Sequence, residues 1–319
     1  MQKKILLKGP LLTRSGYGEQ ARYALRSLRS RPELFDIYIQ PLTWGSTSWI
    51  GEASEEREWI DEKIEKTISF IQQGGQFDMS LQVTIPNEWE NLAPVNVGYT
   101  AGIETTQVAH QWIEKSNFMD RIIVISNHSR DVYNNTAYEG RNESTGEHIE
   151  LRNTTPITTV NYPVKEYGDL PELELELEYD FNFVTVAQFG PRKNIENTIN
   201  WFVEEFENNE VGLVIKTNMA KNCYMDREHV FNKINAILAA HNPERKCKVY
   251  ILHGDMTDEE MHSLYRHPKI NAMIALTHGE GFGLPLFEAA YTGIPVICAG
   301  WSGQLDFLTD EGGTRHFYD

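Results

Sequence analysis

Short apolar runs alternate with amphipathic helical patterns along the whole chain, and this alternation restricts the fold more than any other feature. In the first half, the runs that we interpret as strands are 4–8, 35–40, 79–83, 97–100 and 121–125. Helical patterns lie between and after them, at 19–28, 52–73, 106–116 and 128–135. Because strands that alternate with helices form parallel sheets covered on both faces, the first half is predicted to be a doubly wound α/β domain.

The second half repeats the alternation. Its predicted strands are 183–186, 211–216, 249–252, 272–276 and 295–298, and its predicted helices are 195–207, 226–240, 257–265 and 285–292. We therefore predict two Rossmann-like domains, 1–168 and 169–319. The carboxyl ends of the two sheets are expected to face a cleft, where ligands bind in doubly wound folds.

Two segments depart from the alternation. Residues 137–156 are polar and rich in turn formers, which predicts a surface excursion. Residues 171–180 alternate glutamate with leucine at period 2, which is typical of an exposed edge strand or of an acidic inter-domain linker. We favour the linker, because a buried strand begins directly after it.

The composition excludes several classes of protein. A chain of 319 residues with 40% hydrophobic and 24% charged residues is not globally disordered. No apolar run approaches the roughly 18 residues of a membrane span, and the apolar stretch at the N-terminus is too short for a signal peptide. The three widely spaced cysteines, Cys223, Cys247 and Cys298, exclude a disulfide framework and a cysteine-based zinc site. The sequence predicts a soluble cytoplasmic protein.

The charge is distributed unevenly. The net charge is −17, yet residues 1–32 carry eight basic side chains and one acidic side chain, so this segment is +7 and the remainder is −24. Arg22, Arg26 and Arg29 fall at i, i+4 and i+7 and would form a basic stripe on a helix. The stripe is either a solvated helix face or a docking surface for an anionic acceptor or a membrane.

The strongest chemical signal is the segment 278–288, which follows a predicted strand. Its glycines at 279, 281 and 283 permit unusual backbone angles, and Pro285 suits the first turn of a helix. Such a loop presents backbone N–H groups to a phosphate or a sugar oxygen. Glu280 in the loop and Glu288 in the predicted first helical turn add carboxylates, which bind sugar and ribose diols.

Basic residues follow two neighbouring predicted strands. Arg192 and Lys193 lie between a strand end and a helix start, and Lys216 ends the next strand. The chain contains no Asp-x-Asp to hold a divalent ion beside a diphosphate. We therefore expect Arg192, Lys193 and the helix N-termini, rather than a metal, to supply positive charge to a leaving group, and the role of Lys216 stays open.

Taken together, these motifs resemble a known family. Glu280 and Glu288 match the E-x7-E signature, in its Glu-Gly-Phe-Gly-Leu-Pro-x-x-Glu form, of retaining glycosyltransferases of the GT-B fold, family 4 type. The other matching segments are Ser15-Gly-Tyr-Gly18, which resembles the family's glycine-rich loop, Arg192-Lys193-Asn194, which resembles its basic diphosphate-binding pair, and the later segments 293–297 and Ser302-Gly303. The matches occur in the family's order and spacing over nearly the whole chain.

The resemblance implies an activity and a set of site residues. It implies transfer of a hexose-type sugar from a nucleoside diphosphate sugar (a UDP- or GDP-sugar) to an acceptor hydroxyl, with retention. Because Asp-x-Asp is absent, we expect no metal and no cofactor beyond the donor. The residues expected to be catalytic are Arg192, Lys193, Glu280 and Glu104. The residues expected to bind the donor are Gly16, Gly18, Lys216, Gly281, Phe282, Gly283, Leu284 and Glu288.

In this interpretation, Arg192 and Lys193 stabilise the departing phosphate, and Glu288 anchors the ribose. Glu280 and the amides of 281–284 hold the transferred sugar. The basic first domain suits an anionic or glycan acceptor: a lipid-linked or phosphorylated sugar, an anionic polysaccharide or, less favoured, a hydroxymethylated nucleic-acid base. A peripheral membrane is a further candidate partner.

The sequence departs from the family pattern at two places. Many members end the strand before Glu104 with a histidine, where this chain has Thr100-Ala101, although some subgroups carry a glutamate at the position of Glu104. We interpret His110 as a surface or packing residue, and His278 has a better claim only because it lies beside the signature. Members also usually continue for several dozen residues to a helix that crosses back, so this chain is either a compact variant or incomplete.

Two rival hypotheses remain. Gly16-Tyr-Gly18-Glu-Gln-Ala21 satisfies the G-x-G-x-x-A pattern of nicotinamide-dependent oxidoreductases, with Asp36 twenty residues after Gly16. However, seven residues separate Lys8 from Gly16, and Asp36 begins its strand rather than ending it. The second rival is a non-catalytic nucleotide-sugar-binding protein, against which the intact Glu280, Glu288 and Lys193 argue.

Overall fold

The computed structural model describes residues 2–141 and 146–309. The chain divides into two compact units, Met1–Pro163 and Val164–Asp319, where the sequence predicts a boundary between 168 and 169. Residues 310–319, the end of the second predicted domain, lie outside the described residues.

The first unit is an α/β unit whose main sheet is parallel. Its strands are β1 (Lys3–Gly9), β2 (Phe35–Pro41), β3 (Met79–Val83), β4 (Val95–Thr100), β5 (Arg121–Val124), β6 (Ala137–Arg141), β7 (His148–Arg152) and β8 (Ile157–Thr159). Its helices are α1 (Gly16–Arg29), α2 (Glu55–Gln72), α3 (His110–Ser116) and α4 (Asn127–Asn135). The strand order of the main sheet is β2-β1-β3-β4-β5-β8, so the order reverses next to β1.

The second unit is built around a second parallel sheet. Its strands are β9 (Asn182–Val186), β10 (Gly212–Lys216), β11 (Lys248–Leu252), β12 (Ile270–Ala275) and β13 (Val296–Cys298). Its helices are α5 (Ile195–Phe206), α6 (Tyr224–Leu238), α7 (Asp258–Tyr265), α8 (Leu284–Thr292) and α9 (Leu305–Leu308). The order β11-β10-β9-β12-β13 places the first and fourth strands of this unit side by side, which is the Rossmann order.

Successive residues of the central strands explain why this sheet is covered on both faces. Leu213 packs in one core cluster with residues of α5 and α6, whereas Val214 packs in another with residues of α7 and α8. Side chains alternate across a strand, so a strand that is buried on both faces is apolar at every position. The predicted parallel α/β architecture is confirmed in both units.

The polar excursion 137–156 contains regular structure that the sequence analysis did not predict. β6 and β7 pair antiparallel, from Ala137 opposite Arg152 to Arg141 opposite His148. The side chains of both strands are mostly exposed, so the hairpin has no apolar face that a sequence pattern reveals. Residues 142–145 of this excursion lie outside the described residues.

The acidic segment 171–180 lies within the second unit and is not an inter-unit linker. It forms no strand, as the linker interpretation requires. However, Leu173, Leu175 and Leu177 pack against the core cluster that contains Val184 and Val214, while the intervening glutamates are exposed. The alternation therefore reflects an extended segment that packs its leucines on the core and exposes its glutamates, and neither a strand nor a free linker.

The basic stripe of α1 is not a free docking surface. Arg22 donates to the carbonyl oxygens of Leu11 and Thr13 and pairs with Glu19. Arg26 donates two hydrogen bonds of 2.8 Å to the Glu56 carboxylate of α2. Arg29 lies over the ring of Trp59, at 4.5 Å from its centroid. Each of these arginines therefore connects α1 to the loop before it or to α2, and these contacts account for the stripe without a docking partner.

Buried tyrosines of the first unit give its stability an alkaline limit. Burial raises the pKa of Tyr17 and of Tyr99 to about 12. The pKa of each tyrosine in the folded state lies above the unfolded value of about 10, so ionisation favours the unfolded state. The full free energy of unfolding is therefore retained below pH 10, and part of it is lost as the pH rises toward 12. Each tyrosine contributes at most about 2–3 kcal/mol to this loss.

Urea unfolding of wild type and Tyr99→Phe at pH 9 and pH 11.5 tests this limit. The variant is expected to lose less of its free energy of unfolding between the two pH values than wild type loses. Equal losses in the two proteins would contradict the assignment of the titration to Tyr99.

Within residues 2–141 and 146–309, no helix combines the length and the apolar character that crossing a bilayer requires.

Candidate functional site

The candidate site of the second unit lies where its strand order reverses. β9 and β12 are neighbours in the sheet, and their following loops run from β9 to Lys193 and from β12 to Gly283. Ligands of doubly wound folds bind at the carboxyl ends of the strands at such a reversal. The two loops contain five of the predicted site residues that are charged or are glycines: Arg192, Lys193, Glu280, Gly281 and Gly283.

Glu280 is the centre of this site. Its side chain is only 8% exposed, and its carboxylate accepts from Lys193 Nζ at 2.5 Å and lies 3.3 Å from a guanidinium nitrogen of Arg192. One buried carboxylate therefore gathers two cations, and the group of three carries a net positive charge. Such a group attracts an anion such as a phosphate.

Backbone contacts hold the two loops together. The Arg192 guanidinium donates to the carbonyl oxygen of Gly279 at 2.9 Å, and the His278 N–H donates to the carbonyl oxygen of Arg192 at 2.9 Å. Thr277 Oγ1 donates to the same Arg192 oxygen, and Asn194 Nδ2 donates to the carbonyl oxygen of Leu276. The cations thus have a defined position before any ligand binds.

Sequence analysis missed Thr277 and the supporting role of Asn194. Asn194 has a φ of 54°, in the left-handed region that asparagine tolerates better than most residues. It ends the 3₁₀ turn Pro191–Lys193 and begins α5, so it directs the chain from the cations into the helix. An asparagine directly after Arg192-Lys193 is the signal that could have identified this turn.

A third loop, between β13 and α9, supports Glu280 from behind. The Glu280 N–H donates to Ser302 Oγ at 2.9 Å, and the Gly303 N–H donates to the carbonyl oxygen of Glu280 at 2.9 Å. Gln304, which the sequence analysis missed, accepts from Ser302 Oγ and donates to the carbonyl oxygen of Ala299. A Cβ at Gly303 would lie 2.0 Å from the carbonyl oxygen of Gly281, so only glycine fits there.

The predicted glycine-rich turn leads into α8. Gly283 has a φ of 91° and precedes Leu284, the first residue of the helix, with Pro285 in the first turn. Helix geometry leaves the first-turn N–H groups without intrahelical acceptors, so they are suited to an anion or a sugar oxygen. The Phe282 side chain is 2% exposed and packs against Phe287 and Phe307. Its side chain therefore belongs to the core, and only its backbone is suited to binding a donor.

Glu288 lies further into α8 than the sequence analysis expects. It is the fifth residue of the helix and thus in the second turn, because the helix already begins at Leu284. The Tyr265 hydroxyl donates to its carboxylate at 3.4 Å. Burial, together with the charge of Glu288, raises the pKa of Tyr265 well above its usual value, so this hydroxyl stays protonated and able to donate.

Lys216, the last residue of β10, contacts a second polar cluster in the loop after β11. Its ammonium donates to the carbonyl oxygen of Gly254, and burial lowers its pKa while Asp255 and Glu260 act in the opposite direction. In the same cluster, His253 Nε2 lies 2.9 Å from a carboxylate oxygen of Asp226. Lys216 thus binds the loop after β11.

Asp226 organises the loop that follows β10. Its carboxylate accepts from the backbone N–H groups of Met219 and Ala220 at 2.9 Å each. Burial raises its pKa, but the hydrogen bonds from His253 and from the backbone amides outweigh burial and lower the pKa overall. No sequence motif indicated this pair, because the two residues are 27 positions apart.

In the first unit, the predicted residues lie on loops and helix starts after β1 and β4. Gly16 is the exposed first residue of α1, and a Cβ at Gly18 would lie 2.1 Å from the carbonyl oxygen of Thr13. Glu104 is half-buried in the loop after β4. His110 is exposed at the start of α3 with its ring edge-on to Tyr138, which agrees with a packing role. His278, which belongs to the second unit, is also exposed.

The same geometry removes the support for a dinucleotide fingerprint. β1 ends at Gly9, whereas Gly16 already begins α1, so the glycines do not form the tight turn at the strand end. Asp36 is the second residue of β2 and pairs with Lys66, at the edge of the sheet opposite to the loops after β1 and β4. The oxidoreductase hypothesis is not favoured.

Among the described residues, no group of three or more His, Cys, Asp or Glu side chains is arranged to hold a metal ion.

Comparisons with known structures show similarity in fold at low sequence identity. A structure described as trehalose-6-phosphate from E. coli bound with UDP-2-fluoro glucose is 10% identical, with a TM-score of 0.57 over 96% of this chain and 86% of that chain. A sucrose-phosphate synthase from Thermosynechococcus elongatus is 14% identical, with a TM-score of 0.57 over 97% and 84%. The lipopolysaccharide outer core galactosyltransferase WaaB in its apo form is 12% identical, with a TM-score of 0.54 over 93% and 80%.

Sequence comparisons add a family. No curated protein sequence matches this chain significantly. The model of the family described as Glycosyl transferases group 1 matches residues 174–317, a span that includes Arg192, Lys193, Glu280 and Glu288. The similarity to group 1 glycosyl transferases thus covers residues 174–317, and the similarity in α/β fold to the solved structures covers nearly the whole chain.

Proposed function

We propose that this chain is a retaining glycosyltransferase of the family 4 type, which transfers a sugar from a nucleoside diphosphate sugar to an acceptor hydroxyl without a metal ion. The observation that carries the proposal is the group of Lys193, Arg192 and Glu280 at the strand-order reversal, next to the start of α8. This arrangement places fixed positive charge and helix N–H groups together. Both favour the charge that builds on a departing diphosphate.

Each residue then has a chemical role. As the bond between the anomeric carbon and the phosphate oxygen breaks, Lys193 and Arg192 stabilise the negative charge on that oxygen. The acceptor oxygen forms the new bond on the same face, and its proton passes to the departing phosphate, so no strong general base is needed. Glu288, held by Tyr265, is assigned to the donor ribose.

Glu280 has two roles in this proposal. Its carboxylate fixes the two cations, as the ion pairs indicate. The loop amides of 281–284 and Glu280 hold the transferred sugar. Glu104, in the loop after β4, is assigned to the acceptor. Gly16 and Gly18, at the start of α1, stay assigned to the donor, and Gly18 also lets α1 begin close to the loop before it.

The donor and acceptor classes are proposed from charge and from the neighbours. One neighbour is named with a UDP-sugar analogue, and another is a sugar-phosphate synthase. We therefore propose a UDP-sugar as the first donor to test and a phosphorylated sugar as the first acceptor, with GDP-sugars and glycan acceptors as the next choices.

Mass spectrometry of reactions with UDP- and GDP-sugars tests the function. The expected result is a product heavier than the acceptor by one hexosyl unit, together with the free nucleoside diphosphate, and NMR of its anomeric proton is expected to show the donor's configuration. Donor binding without transfer or donor hydrolysis, across the acceptor panel, would instead support a non-catalytic binding protein.

Metal independence is a separate prediction. Because Arg192, Lys193 and the start of α8 supply the positive charge, full activity is expected after exhaustive treatment with EDTA. The measurement is the initial rate with and without chelator, followed by readdition of Mg²⁺ or Mn²⁺. A rate that falls to background and returns with Mg²⁺ would overturn this part of the proposal.

A further inference from the structure

The hydroxyl of Tyr17 joins two loops of the first unit. It lies 2.7 Å from Thr100 Oγ1, at the end of β4, and it accepts from the backbone N–H groups of Ala101 at 3.2 Å and Gly102 at 2.9 Å. A tyrosine hydroxyl has one proton to donate and two lone pairs to accept with. All three are used here, since the two amides occupy the lone pairs and the proton goes to Thr100.

The ring of Tyr17 brings in a third loop. Tyr17 is 8% exposed, and its ring centroid lies 4.3 Å from that of Trp44, in the loop between β2 and α2. The residue itself is the second of α1, whose start is capped by Ser15. Segments that follow β1, β2 and β4 therefore meet on one buried side chain at the carboxyl edge of this sheet.

The hydrogen bonds of the Tyr17 hydroxyl to Thr100, Ala101 and Gly102, here called the Tyr17 tie, lie close in the chain to Glu104. Glu104 is four residues beyond Thr100 in the same loop, and its charge contributes to the raised pKa of Tyr17, for which burial is the main cause. Gly102 lies between Thr100 and Glu104, and the Tyr17 hydroxyl leaves no space for a side chain there, because a Cβ would lie 2.9 Å from the hydroxyl oxygen. The path of the chain from Thr100 to Glu104 is thus set by contact with Tyr17.

We propose that Tyr17 is a positioning residue for Glu104: its hydroxyl fixes the segment 100–104 and so places the Glu104 carboxylate for the acceptor. This inference rests on the proposed function, which assigns Glu104 to the acceptor. Tyr17 lies between Gly16 and Gly18, two glycines that the sequence predicts to bind the donor, whereas the role proposed for Tyr17 concerns the acceptor.

A double-mutant cycle on the full chain tests the inference. Tyr17→Phe removes only the hydroxyl, and we expect it to lower kcat by about 10- to 100-fold, the scale of a misplaced reacting group, with the donor KM within about twofold of wild type. Glu104→Gln is expected to lower kcat by at least as much. If Tyr17 acts through Glu104, the variant with both changes is no slower than Glu104→Gln alone, whereas independent roles would multiply the two losses and overturn the proposal.

Two further measurements separate the possible failures. Hydrogen exchange of the peptide that contains Ala101 and Gly102 is expected to become faster in Tyr17→Phe. Unchanged exchange would show that the hydroxyl does not fix the segment 100–104, and it would overturn the proposal whatever the activity of the variant. Tyr38→Phe is the matched control, because it also removes one hydroxyl of a buried tyrosine of this unit, bonded there to Asp36; it should keep the wild-type kcat.

The outcomes distinguish this inference from the proposed function. A wild-type chain that transfers no sugar from any donor refutes the proposed function, while the exchange experiment still decides the tie. An active wild type with a fully active Glu104→Gln refutes the inference and the assignment of Glu104 to the acceptor, while the proposed sugar transfer stands.

Discussion

Replacement of Lys193 by alanine is expected to lower kcat by about 10²- to 10³-fold, the usual effect of removing one group that stabilises charge in the transition state. The change removes the ammonium that lies 2.5 Å from Glu280. Since the charge on the phosphate develops only as the bond breaks, kcat should fall more than donor affinity does. The measurement is kcat and donor KM from initial rates, and a fall of less than about tenfold would contradict the role of Lys193.

The Lys193→Ala change has a side effect that needs its own control. It leaves Glu280 buried with Arg192 as its remaining cation at 3.3 Å, and an under-compensated buried carboxylate destabilises its surroundings. The variant Lys193→Ala/Glu280→Gln removes that charge as well. If Lys193 acts on the phosphate, the double variant is no faster than Lys193→Ala, because Glu280 also holds the transferred sugar; recovery of activity would instead mean that the uncompensated carboxylate caused the loss. Lys221→Ala, at an exposed position of the same unit, should behave as wild type.

Replacement of Gly303 by alanine is expected to abolish most of the activity, by about 10²-fold or more, although Gly303 carries no chemistry. A Cβ there would lie 2.0 Å from the carbonyl oxygen of Gly281 and 2.8 Å from Phe282 Cα, and both are backbone atoms that cannot rotate away. The loop 280–283 must therefore shift, and misplacement of about 1 Å is sufficient for a loss of this size. Both kcat and donor KM should change, because this loop precedes the start of α8.

Gly190→Ala is the matched control for Gly303→Ala. Gly190 lies directly before the 3₁₀ turn that carries Arg192 and Lys193, its φ is −146°, and a Cβ there meets no atom within 4 Å. This variant should keep the wild-type kcat and KM, and circular dichroism with thermal unfolding should show that both variants are folded. Wild-type kinetics in Gly303→Ala would show that the loop after β13 does not set the site.

Several features could be predicted because their signals are local. The apolar periodicity places β3 at Met79–Val83, as predicted, and the other main-sheet strands, apart from β8, within two residues of the predicted bounds. The glycines and Pro285 indicated a turn into a helix, and α8 begins at Leu284. Period and turn chemistry act over a few residues, so the sequence contains them directly.

Other predictions failed where the partner of a side chain lies far away in the chain. The stripe of Arg22, Arg26 and Arg29 has the spacing of a solvated helix face, but Glu56 and Trp59 of α2 provide partners for Arg26 and Arg29. The leucines of 171–180 have the spacing of a strand, but they pack on a core cluster whose other residues, such as Val184 and Val214, lie elsewhere in the chain. The spacing of residues predicts which side chains share one face of a helix or strand. It does not predict which residues elsewhere in the chain pack against that face.

By itself, the sequence determined the α/β alternation, the two groups of strands and the loop residues that follow β9 and β12, because hydrophobic period and glycine or proline chemistry are properties of short segments. Only the tertiary structure decided that Lys193 and Glu280, 87 residues apart, share one ion pair, and that Tyr17 is bonded to Ala101 and Gly102. The reason is the order of strands in the sheets. That order brings distant loops to one edge, and it follows from the packing of the whole unit rather than from any single segment.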